Sequence, residues 1–303
     1  MLNPHSRALV QIHLCVLLWG FTAILGKTIT LEALPLVWWR MTTVAFALLL
    51  VPAFWRGIGR LTVRQIATFA GIGVLVALHW LTFYGSIKLS NASVAATCMA
   101  LAPVVTALVE PRLARRRFDG RELGFGLAAI PGVALVVGGT PAGMRGGIVA
   151  GIVSVLFVSV FSSLNKRFVE RGTPLAVTGL EMGAGAVFLG LVGSALPGDT
   201  IFDLPAPADA GWLLTLAIGC TLVPFALSLV ALRQLSAFTT ALAVNMEPVY
   251  AILLAIVLLG EQRELDGIFY LGVGIILAVV FLHPVLTRRR RPVPGGIDPL
   301  ERL

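Results

Sequence analysis

Ten stretches of this chain stay apolar over the roughly 20 residues that an α-helix needs to cross the hydrocarbon of a bilayer. They run over about 8–26, 34–54, 66–86, 91–110, 122–139, 146–165, 174–196, 211–231, 237–259 and 266–285. No polar stretch between them is long enough for a soluble domain. In lipid every backbone amide and carbonyl must be satisfied within the protein, so spans of this length are helices. Of the 303 residues 57% are hydrophobic and 13% are charged, against roughly 25% charged in soluble domains. The expected fold class is an all-α, multi-pass membrane protein with ten transmembrane helices.

Two of these spans resemble each other. Leu235 to Glu261 reads LSAFTTALAVNMEPVYAILLAIVLLGE, and Leu89 to Glu110 reads LSNASVAATCMALAPVVTALVE. Each opens on Leu-Ser, continues through small and hydroxyl residues, and reaches Pro-Val after nearly the same distance: Ser90 to Pro103 and Ser236 to Pro248. Repetition of this kind points to two related halves. The expected division is a first five-helix repeat over 8–139, a second over 146–285 and a basic tail over 286–303. An odd number of spans per half turns the second repeat upside down, so the repeats are inverted about an axis in the membrane plane. Such proteins commonly place their site near the midplane between the halves.

The basic residues set the orientation. Arg7, Arg56, Arg60, Arg64, Arg112, Arg115, Arg116, Arg117, Arg121, Lys166, Arg167, Arg171, Arg233, Arg288 to Arg291 and Arg302 fall at the termini and after spans two, four, six and eight. The other connections hold Lys27, Lys88, Arg145 and Arg263, so the ratio is 18 to 4. Both termini are therefore expected in the cytoplasm. This bias also accounts for the formal net charge of +8, and nucleic acid is not an expected partner. Cys15, Cys98 and Cys220 lie in apolar segments, an odd count with no disulfide framework or metal spacing. No phosphate loop, HExxH or Gly-x-Ser-x-Gly sequence is present, so neither an enzyme nor a cofactor or metal requirement is expected. The partners expected are a small-molecule substrate and the lipid bilayer, and a monomer suffices because one chain carries both halves of a pathway.

Polar residues within the spans mark the candidate site. A charged carboxylate at a helix centre costs roughly 2.5–3.5 kcal/mol, so Glu247 should face the bundle interior, flanked by Asn245 and Met246. It either holds a helix break in place or binds a substrate amino group or a proton. Pro248 frees a carbonyl one turn earlier, near Ala243 and Val244. Pro103 marks the equivalent bend in the first half, and Pro224 is a further hinge candidate. His79, beside Trp80 and near Tyr84, can donate or accept hydrogen bonds. Trp19 lies mid-span, away from the interface where tryptophan usually sits, and Thr97 and Met99 lie mid-span four. The candidate substrate-binding set is thus Trp19, His79, Tyr84, Thr97, Met99, Asn245, Met246 and Glu247. Arg40 is expected in a structural ion pair, with Glu181 a similar case in the other half. Ser162, Ser163 and Asn165 are placed for a polar cavity mouth. Glycine pairs such as Gly147/Gly151, Gly179/Gly183, Gly71/Gly73 and Gly272/Gly274 suit close helix packing.

The chain resembles the EamA-type drug/metabolite transporter superfamily. The resemblance rests on LLWGFTAILGK (Leu17 to Lys27), Pro35 with Arg40, Ser90 with Pro103, Glu247-Pro248 and Leu259-Gly260-Glu261, and covers about 8–285. It implies a ten-helix secondary transporter moving small metabolites by alternating access. It is most similar to bacterial exporters of aromatic and other hydrophobic amino acids, which implies the bacterial inner membrane. Other substrate classes (a drug, a purine, a nucleotide sugar) remain as alternatives, with a membrane enzyme or scramblase further off. One departure is LVEPRLARRRFD after span four, where Pro111 is expected to stop the helix.

Overall fold

A computed structural model of the chain describes residues 4–113, 120–196, 201–224, 227, 231, 243–244 and 246–287. All regular structure among them is helical. The segments are α1 Pro4–Thr28, α2 Ala33–Leu49, α3 Pro52–Ile58, α4 Val63–Leu89, α5 Ala92–Met99, α6 Ala102–Leu113, α7 Gly120–Gly138, α8 Arg145–Phe168, α9 Pro174–Ser194, α10 Pro207–Leu214, α11 Glu247–Leu254 and α12 Gly267–Thr287. Among the described residues, four helices are long and apolar enough to span a membrane, or six if each of two bent pairs is one span. Four shorter apolar helices lie within 127–138, 207–222, 247–259 and 267–279, at the places of the remaining expected spans.

The second expected span is not continuous. Pro52 lacks the amide that would extend α2 and disfavours a helical Val51, which is extended at φ −95°, ψ 114°. The chain turns by 90° into α3, and the expected end at 54 is replaced by a short crossing helix. Span four bends by 47° between α5 and α6. The break falls at Ala100–Leu101, so Pro103 occupies the first turn of α6, where proline is tolerated. Pro111 does not stop the helix as expected, since α6 continues to Leu113.

Two spans carry wider turns. Beyond α10 the helix becomes π-helical over Thr215–Leu222, just before buried Pro224. A proline ring clashes with the carbonyl of the preceding turn, and widening that turn accommodates it. Pro248 sits in the first turn of α11, and just before it the carbonyl of Ala243 accepts from the Met246 amide at 3.0 Å in a tight turn. The helix widens again over Ala255–Leu259 and ends at Gly260, φ +70°, the left-handed conformation glycine adopts without penalty.

The principal packings obey the repeat. α4 packs on α8 and α9, while α1 and α2 pack on the π-helical continuation of α10. α5 and α6 pack on α8 as α11 packs on α1. Three pairs join equivalent spans of the two halves: α2 with α9, α5 with α11, and α7 with α12. Exchanging the first five spans for the second five therefore carries each of these packings onto another of them or onto itself. With five spans per half, this is an inverted repeat.

Glycine permits the closest of these approaches. A Cβ on Gly132 would lie 2.9 Å from the Gly272 carbonyl oxygen, and one on Gly151 2.7 Å from Cys98 Sγ. Of the expected pairs, Gly147 and Gly151 both pack against neighbours, whereas Gly71, Gly183 and Gly274 face open space.

Candidate functional site

Between the repeats lies a cavity of about 180 Å³. Its walls come from α1, α2, α4 and α5 of the first half and α8, α9 and α11 of the second. α4 contributes Val76, His79, Trp80 and Phe83, spaced by three, one and three residues, which places them along one helical face. Periodicity around His79 was the signal that would have found the other three.

Arg40 closes one part of the wall and is 3% exposed. Its Nε donates to Thr221 Oγ1 at 2.9 Å and its Nη1 to the Tyr84 hydroxyl at 2.7 Å. The guanidinium carbon lies 3.7 Å from the Trp80 ring centroid, a cation–π contact that strengthens when water is excluded. The Thr221 hydroxyl in turn donates to the Leu216 carbonyl at 2.8 Å, five residues back in the π-helical turn. The expected ion pair is therefore replaced: among the described residues Arg40 is held by two hydroxyls and an indole and makes no carboxylate pair. The planar guanidinium can serve several donors and an aromatic face at once, which a lysine cannot. Arg40→Lys should lower stability by at least about 2 kcal/mol, read as a drop in unfolding temperature in detergent. An unchanged temperature would mean that this network contributes nothing.

His79 is fixed by α8. Its Nδ1 lies 2.8 Å from Ser154 Oγ and 3.1 Å from the Ser154 carbonyl, and Ser154 Oγ donates to the His79 carbonyl at 3.0 Å. With the serine proton used there, both Ser154 atoms near the ring are acceptors. The consistent tautomer carries its proton on Nδ1 and leaves Nε2 an acceptor. The ring stacks on Phe83 at 6.2 Å and meets Phe161 at 5.5 Å.

Trp19, His79, Met99 and Glu247 all line the cavity, together with Thr22 from α1. Glu247 stands in the first turn of α11, and its charge acts across the cavity on Arg40. Tyr84 is fully buried behind Arg40 and forms no part of the cavity wall. Thr97 is also buried and spends its hydroxyl on the Ser93 carbonyl at 2.7 Å. Met246 does not line the cavity, and Asn245 lies outside the described residues. The basic tail beyond Thr287 also lies outside them.

Asn165 and Glu181 line the cavity too. Asn165 is in the last turn of α8, and Glu181 lies about two turns into α9. The cavity thus extends towards the arginine-rich end of the bundle, where α8 ends and α9 begins.

The opposite, arginine-poor end is clasped across the repeats. The buried Glu261 carboxylate accepts from the Ala92 amide at 2.9 Å and the Ser93 amide at 2.7 Å, capping α5. Asn91 accepts from the Val94 amide at 3.0 Å and donates to Glu264 at 2.9 Å. Asp209, at the start of α10, accepts from the Thr30 amide at 2.9 Å and from its hydroxyl at 2.5 Å. Anionic groups at a helix N-terminus meet unpaired amides and a favourable dipole.

A family model described as the EamA-like transporter family matches the chain twice, over residues 6–138 and 145–290. No curated protein matches the chain. Among solved structures, one described as a crystal structure of a protein is similar, with 19% identity and a TM-score of 0.63. The match covers 94% of this chain and 98% of that one, and at this identity it shows the fold alone.

Proposed function

This chain belongs to the EamA-like transporter family, and from that premise we propose that it exports small amphipathic metabolites, aromatic and other hydrophobic amino acids foremost, by alternating access through the cavity between its repeats. The observation that carries the reading is the lining: aromatic side chains from both halves interrupted by a few polar groups, the pattern of a site for a mostly apolar guest. A volume of about 180 Å³ is below the roughly 300–1,000 Å³ of drug-sized sites. That favours an amino acid over a nucleotide sugar or a large drug.

In this reading the clasp at Glu261 and Asp209 closes the periplasmic end while the cavity reaches towards the cytoplasm. Both termini are cytoplasmic, in line with the arginine distribution, and the protein sits in the bacterial inner membrane. Pro103, Pro224 and Pro248 stand next to the bends or π-helical turns on which the halves would rock. The chain acts as a transporter and performs no catalysis.

Counterflow into proteoliposomes loaded with mixed amino acids tests this. Labelled phenylalanine and tryptophan should accumulate, while glutamate and lysine should not. Absence of uptake of both aromatic residues overturns the amino-acid reading.

A further inference from the structure

At the arginine-rich end of the cavity, Asn165 Nδ2 donates to Glu181 Oε2 at 3.4 Å. The two remaining oxygens, Glu181 Oε1 and Asn165 Oδ1, are buried without a hydrogen-bond partner. Glu181 is 4% exposed. Turning the asparagine amide over does not relieve the pair, because it would set Oδ1 against Oε2, acceptor to acceptor. A buried acceptor without a donor is costly, and a carboxylate within a membrane span is more so. What these oxygens lack is donors, which a proton on the carboxyl or a positively charged group rich in donors supplies.

Among the described residues no side chain supplies them. Arg40 is the buried cation of the cavity, and it is committed to Thr221, Tyr84 and Trp80. Its charge acts on Glu247, whereas the hydrogen bond given for the Glu181 carboxylate comes from Asn165, with Oε1 left without a partner. Along α4 the backbone of Glu181 packs at Gly73 and Arg40 lies over Trp80, seven residues apart.

We propose that Glu181 and Asn165 form a subsite for the ammonium group of a transported organic amine. This rests on the reading of the cavity as the transport pathway and adds the group by which a substrate is recognised. An ammonium carries three donors and a charge, enough for Glu181 Oε1 and Asn165 Oδ1 together. The body of the amine then lies beside Phe161, which already packs against His79. An α-amino acid bears both charges on one carbon, and the guanidinium of Arg40 is already engaged by Thr221, Tyr84 and Trp80. Recognition therefore depends on the ammonium and is indifferent to the carboxylate, so an arylalkylamine is bound at least as well as the amino acid of the same side chain.

The test is binding of radiolabelled phenethylamine to the purified full-length protein, with phenylalanine and 3-phenylpropionate as competitors. Wild type should bind phenethylamine, phenylalanine should compete, and 3-phenylpropionate should not. Glu181→Gln should weaken the amine by about tenfold or more, the loss of a charged hydrogen bond, and Glu247→Gln by less than about threefold. Asn165→Leu provides a second variant that removes the other acceptor, and it too should weaken the amine should Glu181→Gln fail to yield folded protein. Equal binding by wild type and the Glu181 or Asn165 variant overturns the subsite. So does a loss confined to Glu247→Gln, or competition by 3-phenylpropionate as strong as that by phenylalanine. Phenylalanine counterflow without phenethylamine binding overturns the subsite while leaving the transport reading intact.

Discussion

Gly73→Leu should leave no monodisperse protein after detergent extraction, whereas Gly71→Leu, two residues earlier on α4, should extract and unfold like the parent. A Cβ at Gly73 would lie 2.3 Å from the Glu181 carbonyl oxygen and 2.7 Å from its Cα. Both are backbone atoms and cannot rotate away. Gly185, one turn further along the facing helix, has the same constraint, since a Cβ there would be 2.9 Å from the Gly73 carbonyl oxygen. α4 belongs to the first repeat and α9 to the second, so relieving the clash means separating the halves. Overpacking costs about 1–3 kcal/mol where side chains can adjust and more where backbones must part, against a total stability of about 5–15 kcal/mol. At Gly71 a Cβ meets nothing within 4 Å. Size-exclusion profiles of the two variants side by side decide the matter, and equal profiles would show that the repeats do not meet at this point.

Glu261→Ala should shift the protein towards a state open at its arginine-poor end by about ten- to a hundredfold. The carboxylate is 1% exposed and holds the amides of Ala92 and Ser93. Hydrogen bonds to a charged group contribute about 1.5–3 kcal/mol, and each 1.4 kcal/mol is about tenfold in an equilibrium. In a state where α5 and the α11–α12 turn have parted, water satisfies both amides, so the substitution penalises the clasped state alone. Thiol labelling of Met99→Cys, a cavity residue, applied from the arginine-poor face of oriented vesicles, reads the shift. A labelling rate unchanged by Glu261→Ala would mean that the clasp does not control access.

Much of the architecture was legible in the residues because lipid imposes a simple rule: about 20 apolar residues per crossing. The doubled Ser…Pro pattern of spans four and nine carried the repeat, and five spans per half carried its inversion. The 90° turn at Pro52 had a visible signal, a proline close to the end of an apolar run, but continued hydrophobicity through Phe54 and Trp55 masked it. The π-helical turns had none, since they depend on backbone register. Arg40 was recognisable as an interior cation. Its partners were not, because Tyr84 and Thr221 are 44 and 181 residues away in sequence and hydroxyls are too common to be singled out. Glu181 and Asn165 each stood out as polar residues within spans, but their pairing depends on how α8 and α9 lie together. Tyr84 and Thr97 were drawn towards the site by proximity along the chain. Rotation about the helix axis turns both away from it.

The central claim is that solute crosses the membrane through the cavity between the repeats. Its most direct test is the flux of phenylalanine through proteoliposomes bearing Met99→Cys, measured before and after complete thiol modification of that cysteine, with Cys15, Cys98 and Cys220 replaced by alanine. The account predicts that phenylalanine slows the modification in proportion to its occupancy of the site, and that flux stops once the cysteine is modified. Full flux through protein whose Met99→Cys is quantitatively modified would place the pathway elsewhere.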